Sequence, residues 1–247
     1  MAFPSAMVVA SETVILPRRG FRIDPGKALP LGLACWAGFA LVAWAVRTGH
    51  AETIDQLGLL FWRDATLAPS GPKWLLEAVR DVTGLGGVLL RNLFGLAAIS
   101  ALLFLRLRRE AVLFALTVAS GWLVNSLVKH LVGRARPEIV PHLTEAGGNS
   151  FPSGHSFNSA VVYIAMALAF AALSSRAAVR HTVICAALVV SLAIAWTRVW
   201  LGVHWPSDVI AGWLGGTGWA FLASAVLYRP AKAAAENIPI AEFSPDN

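Results

Sequence analysis

Six long apolar runs constrain this chain more than any other feature. Residues 28–46 give 19 positions without a charge, 111–128 give 18, and 156–175 and 209–228 give 20 each. Residues 82–105 contain a single charge, Arg91, near their start, where its side chain is expected to snorkel to the interface. Residues 182–197 are shorter, at 16, but continue apolar past Arg198. A bilayer-spanning helix needs about 20 apolar residues. Lipid cannot satisfy an open strand edge, so helices are the expected solution. The reading is an all-α, polytopic membrane protein with six transmembrane helices. Composition agrees: 57% of residues are hydrophobic and 14% are charged, where a soluble domain carries about 25% charged. So much apolar surface exceeds what one soluble core of this size hides.

The charges orient the spans. Arg18, Arg19, Arg22 and Lys27 precede the first run; Arg106, Arg108 and Arg109 follow the second. Arg176 and Arg180 separate the fourth and fifth, and Arg229 and Lys232 follow the sixth. Placing these groups in the cytoplasm satisfies the positive-inside rule with an even number of spans. The net charge of +6 is then a matter of membrane orientation, and no nucleic-acid partner is implied. Residues 1–27 read as a cytoplasmic tail before a retained signal anchor. Residues 28–228 form the six-helix domain, and 229–247 a second cytoplasmic tail. The outward connection 47–81 is long; Ser70 is a candidate N-cap for a surface helix with Trp74, Ala78 and Val82 at helical spacing. Gly212 and Gly216 form a small-xxx-small pair suited to close helix packing. Cys35 and Cys185 lie in apolar runs, with no disulfide framework and no paired metal spacing.

Three polar groups fall at helix ends on the outward side. Lys129 is followed after six residues by Arg136-Pro137; Pro152-Ser153-Gly154-His155 precedes the fourth run; Arg198, His204 and Asp208 close the set at intervals of six and four. Three cations suit the charge spread over a phosphoryl group in flight. Arg136 precedes a proline and is biased to extended backbone. Gly133 is placed to end the third span a turn after Lys129. Ser153 is a candidate N-cap, and Gly154 lets the backbone approach an anion at the positive end of the fourth helix. His155 can protonate a leaving oxygen. Pro206 fits the first position of the sixth helix, with Asp208 in its first turn. Asp208 can then fix the tautomer of His204, leaving the other ring nitrogen to attack phosphorus. His130, His142, Arg134 and Glu145 match no pattern and read as loop or rim residues. A metal hydrolase using His155, His204 and Asp208 as ligands is the rival reading, without an H-E-x-x-H motif to support it. A transporter or lipid-binding protein is another, but the ionisable residues sit at one face and not mid-span.

These residues resemble the three-part signature of the type 2 phosphatidic acid phosphatase (lipid phosphate phosphatase) family, in its bacterial membrane branch: K-x6-R-P, P-S-G-H and S-R-x5-H-x3-D. The departure is Thr197, where the family pattern has serine. The resemblance implies a lipid phosphatase, working through a phosphohistidine on His204 without metal or cofactor. Asp208 would orient His204, and His155 would protonate the leaving group and later activate water. Lys129, Arg136, Arg198 and the Ser153 and Gly154 backbone would hold the phosphate. The expected partners are the bilayer and a phosphorylated lipid: phosphatidic acid, phosphatidylglycerol phosphate, undecaprenyl diphosphate or a lipid A-type glycolipid. A lipid phosphotransferase on the same scaffold is the alternative. The expected location is a bacterial inner membrane, with the site facing the periplasm or cell exterior.

Overall fold

The computed structural model describes residues 25–171, 173–174 and 176–236, with backbone alone over 226–236. The expected tails at 1–27 and 229–247 therefore lie largely outside the described residues, although the last helix continues through 229–236.

Every named element is helical. They are α1 (Pro25–Arg47), α2 (Glu52–Leu60), α3 (Lys73–Leu85), α4 (Val88–Phe104), α5 (Arg108–Val132), α6 (Gly154–Ala171), α7 (Ala177–Trp200) and α8 (Pro206–Glu236). Among the described residues four helices are long and apolar enough to cross a membrane: Gly26–Arg47, Arg108–Val132, Gly154–Ala171 and Ala177–Trp200. The α3–α4 pair adds a fifth if counted as one broken span. The expected sixth, 209–228, falls inside α8.

α6 is the hub. Of its apolar window 72% is buried, against 11% for α1 and for α7. An apolar residue facing lipid pays no hydrophobic penalty, so the outer helices keep leucines exposed, such as Leu41, Leu123 and Leu192. Phe157, Ile164 and Leu168 of α6 are all at most 3% exposed. Ile164 and Leu168 pack with Leu102, Phe114 and Ala220 in one cluster.

Gly212 and Gly216 do what small residues at that spacing suggest. A Cβ at Gly216 would lie 2.1 Å from the carbonyl oxygen of Phe157, and one at Gly212 would lie 2.7 Å from that of Ser153. The backbones of α6 and α8 thus meet with no room for a methyl group. Gly216→Ala is expected to destabilise the protein by about 1–3 kcal/mol, read as a lowered melting temperature in detergent. Gly95→Ala, with nothing within 4 Å of the added atom, is the matched control and should leave the melt in place.

Three expectations change. The span expected over 82–105 begins at Val88, because the chain bends by 46° across Gly86-Gly87. Residues 82–85 belong to α3. Gly86 is needed there: a Cβ would meet Ile194 Cγ2 at 2.4 Å. Arg91 does not snorkel; it is 7% exposed and donates from Nη1 to the Gly86 carbonyl at 3.2 Å. Ser70 caps nothing: α3 starts at Lys73 with Pro72 as N-cap, and the Ser70 N–H is spent on the Trp62 carbonyl at 2.9 Å. The inward face of α3 is Leu75, Leu76 and Val79, which pack on Trp200, Leu201 and Val203, while Trp74 is exposed. The short helix α2 sits in the same connection and buries Asp55 and Leu59.

Candidate active site

Helix α5 ends where glycine allows it. Gly133 takes φ 63°, in the left-handed region, and its N–H closes on the Lys129 carbonyl at 3.1 Å. The chain then doubles back over the ends of α6, α7 and α8. Two reciprocal bonds clamp it: Lys129 Nζ donates to the Asn149 carbonyl at 2.7 Å, and Asn149 Nδ2 donates to the Lys129 carbonyl at 3.0 Å.

Pro206 opens α8, which puts Asp208 in its first turn and His204 just before it. His204 is 2% exposed and Asp208 is fully buried. Direct contact between them is loose, with Nδ1 and Oδ2 3.5 Å apart. Ser150 closes the gap. Its Oγ lies 3.2 Å from His204 Nδ1, and its hydroxyl donates a short bond to Asp208 Oδ2. Asp208 therefore orients the imidazole chiefly through Ser150, a residue that no sequence pattern marks. A proton on Nδ1 satisfies this chain and leaves the Nε2 lone pair forward. Arg136 Nη1 lies 3.1 Å from Nε2. Burial pushes the His204 imidazole well below its ordinary range, against the pull of Asp208, and Arg136 and Arg198 add to the lowering. That lowering favours the neutral ring.

Arg134 corrects its reading as a rim residue. Its Nη1 pairs with Asp208 Oδ1 at 2.7 Å, and its Nη2 pairs with Asp55 Oδ2 at 2.6 Å. Asp55 of α2 also accepts the Ser207 N–H at 2.8 Å and the Ser207 hydroxyl at 2.6 Å. One guanidinium thus bridges two buried carboxylates, one nitrogen of its planar fork to each. Trp205 stacks over Arg134, with Cζ 5.4 Å from the ring centroid. His142 is tied to the Pro137 carbonyl at 2.7 Å, and Glu145 stays exposed.

Arg136 lies near enough to Lys129 and Arg198 to act electrostatically on both, and each of the three is held by the protein's own acceptors. Arg136 donates to the carbonyls of Gly147 at 2.7 Å, Gly148 at 3.1 Å and Val203 at 2.7 Å. Burial, the larger cause, lowers its pKa, while Asp208 opposes that. Arg198 is 3% exposed and donates from Nη1 to Thr83 Oγ1 at 2.8 Å. Its Nε is buried with no partner, a donor that asks for an acceptor. Thr197 turns its hydroxyl back to the Ile194 carbonyl at 2.5 Å, so the serine-to-threonine departure stays inside α7.

Ser153 caps α6: its Oγ accepts from the Ser156 N–H at 3.4 Å and the Ser156 hydroxyl at 2.9 Å. The Ser153 N–H itself is donated to the Asp208 carbonyl at 3.0 Å. It ties α6 to α8 and is not available to an anion, which corrects its expected role. Gly154 and His155 occupy the first turn of α6, where N–H groups lack intrahelical acceptors. Lys129 Cε comes within 3.6 Å of the space a Gly154 Cβ would fill. Arg198, His204, Arg91 and Arg136 all lie near enough to act electrostatically on His155. Among the described residues no three His, Cys, Asp or Glu side chains gather in a group able to hold a metal ion.

The PAP2 superfamily is matched by residues 110–231. Phosphatidylglycerophosphatase B of Bacillus subtilis is 30% identical over 177 residues, which cover 70% of this chain and 83% of that protein. The chain belongs to the PAP2 superfamily. A lipid A 1-phosphatase of Rhizobium etli is 39% identical over 127 residues, 48% of this chain, and the match spans half that relative's length. A crystal structure described as the first transmembrane PAP2-type phosphatidylglycerolphosphate phosphatase from Bacillus subtilis superposes with a TM-score of 0.70 at 25% identity, over 85% of this chain and 98% of that one. The PAP2 match encloses every motif residue named above. It leaves out Asp55, Thr83 and Arg91.

Proposed function

We propose that this multi-pass membrane protein is a lipid phosphatase that works through a phosphohistidine on His204. The observation that carries the reading is the chain from Asp208 through Ser150 to His204 Nδ1, which leaves Nε2 forward beside Arg136. His204 Nε2 attacks phosphorus, a P–N bond forms and the P–O bond to the leaving group breaks. His155 gives its proton to the departing oxygen. It then takes a proton from water, which attacks phosphorus, breaks the P–N bond and releases inorganic phosphate. Lys129, Arg136, Arg198 and the Gly154 N–H hold the equatorial oxygens. Their present partners, mostly loop carbonyls, are what the phosphate replaces.

The substrate class is a phosphorylated membrane lipid. Two relatives carry names of lipid phosphatases. A site at the ends of apolar helices meets a phosphate at headgroup depth. Six spans, with α8 the sixth, put that end outward, opposite Arg106, Arg108, Arg109, Arg176 and Arg180. In a bacterial inner membrane it faces the periplasm.

The test is phosphate release from purified full-length protein on phosphatidic acid, phosphatidylglycerol phosphate, undecaprenyl diphosphate and lipid A. At least one lipid is expected to release phosphate, and EDTA should not slow it. Phosphate from none of them, or activity lost to EDTA and restored by zinc or magnesium, overturns the reading.

A further inference from the structure

A charged side chain inside a membrane bundle needs a reason. Arg91 sits in the first turn of α4, 7% exposed. Among the described residues no carboxylate pairs with it. Of the five donors a guanidinium carries, one is donated, to the Gly86 carbonyl. Arg91 lines a cavity of about 290 Å³ between α4, α5 and α6, together with Asn92, Trp122, Asn158 and Val161. That volume falls just below the range of small-molecule sites, roughly 300–1,000 Å³, and suits a single small charged group.

The cavity adjoins the candidate active site at two points. Asn158 Nδ2 lies 4.0 Å from the Cβ position of Gly154, in the first turn of α6. Gly86, whose carbonyl Arg91 holds, has its Cβ position 3.2 Å from His155 Cδ2. The cavity also lies deeper in the membrane than the helix ends. Asn158 and Val161 are one and two turns into α6, and Trp122 is two turns short of Lys129 on α5. A second cavity, lined by Leu85, Phe94, Tyr163 and Val183, is apolar, so of the two the one with Arg91 suits a charged group of a lipid whose phosphate is seated against Gly154 and His204.

We propose that this cavity is a subsite for a second phosphate of the substrate, on the acyl-chain side of the one removed. Arg91 is its charge partner and the amides of Asn92 and Asn158 are neutral donors. The proposal rests on the reading of His204 as the centre of phosphate removal. The second phosphate is either the phosphodiester of phosphatidylglycerol phosphate or the inner phosphate of a lipid diphosphate. Phosphatidic acid has neither. The cavity therefore selects two-phosphate lipids over one-phosphate lipids, by charge.

The experiment measures kcat/KM of the full-length protein on phosphatidic acid, phosphatidylglycerol phosphate and undecaprenyl diphosphate. Arg91→Gln removes the charge while keeping a donor for the Gly86 carbonyl. It is expected to lose about 30-fold more on at least one two-phosphate lipid than on phosphatidic acid, whose smaller loss reads the Arg91 charge felt by His155. The lipid that loses most identifies which second phosphate the cavity takes. Asn158→Asp, nearly isosteric, places a negative charge in the cavity and should likewise cost more on the two-phosphate lipid than on phosphatidic acid. It decides the question if Arg91→Gln fails to fold. An equal loss on all three lipids means that Arg91 only supports the bend before α4, and overturns the proposal; so does no loss on any. A wild-type protein inactive on every lipid would instead overturn the reading of His204.

Discussion

His204→Ala should lower turnover by about 10⁵-fold on any lipid the wild-type protein hydrolyses, because nucleophile and proton-transfer partner act as a unit. Rate alone does not separate a nucleophile from a buried structural histidine, so the covalent intermediate is the sharper readout. A substrate carrying radiolabelled phosphate, quenched in alkali during turnover, should leave label on the protein. That label should be stable to base and labile to acid, as a phosphoramidate is. His204→Ala should carry none. His155→Ala should carry more than wild type when the leaving group needs no proton, because attack proceeds while water is no longer activated. Labelled His204→Ala protein, or acid-stable label, would show that the chemistry runs through another residue.

Arg134→Ala should be the most damaging change outside the signature. It strands Asp208 and Asp55, 0% and 1% exposed, without their shared counter-ion. Breaking a buried ion pair from one side costs about 3–5 kcal/mol, and here one substitution breaks two. The melting temperature in detergent should fall sharply, and surviving protein should lose kcat more than KM, since on the proposed mechanism Asp208 acts by orienting His204 through Ser150. Adding Asp55→Asn to Arg134→Ala should recover part of the melting temperature by removing one stranded charge. Arg134→Lys cannot reach both carboxylates with a fork and should fall between. A wild-type melt and wild-type kcat in Arg134→Ala would mean that the two contacts contribute nothing.

Much of this site was legible because its chemistry is written in helix boundaries. Gly133 ends α5, Pro206 begins α8 and Ser153 caps α6, each for a local backbone reason that the residue type announces. Long-range partners announce nothing. Arg134 meets Asp55 across 79 residues and Ser150 meets Asp208 across 58, so neither pairing leaves a spacing to read. The Ser153 N–H illustrates a different limit. Its place before a helix suggests an anion donor, but the approach of α8, set by Gly212, hands it to the Asp208 carbonyl. Arg91 was misplaced because position along a span says how deep a charge lies, not whether it points to lipid or to neighbouring helices. The bend at Gly86-Gly87 decides that, and a pair of glycines inside an apolar run does not reveal a 46° turn.

The ion pair between Arg134 and Asp55 also bears on how the site can be moved. Asp55 enters from the connection after α1, more than 50 residues before the segment the PAP2 superfamily matches at 110–231. A chimera that transplanted that segment alone would carry the whole phosphatase signature and still lack the acid that shares Arg134. It would also lack Thr83, against which Arg198 is held. The unit of inheritance for this chemistry is therefore larger than its motif, and a graft begins with α2.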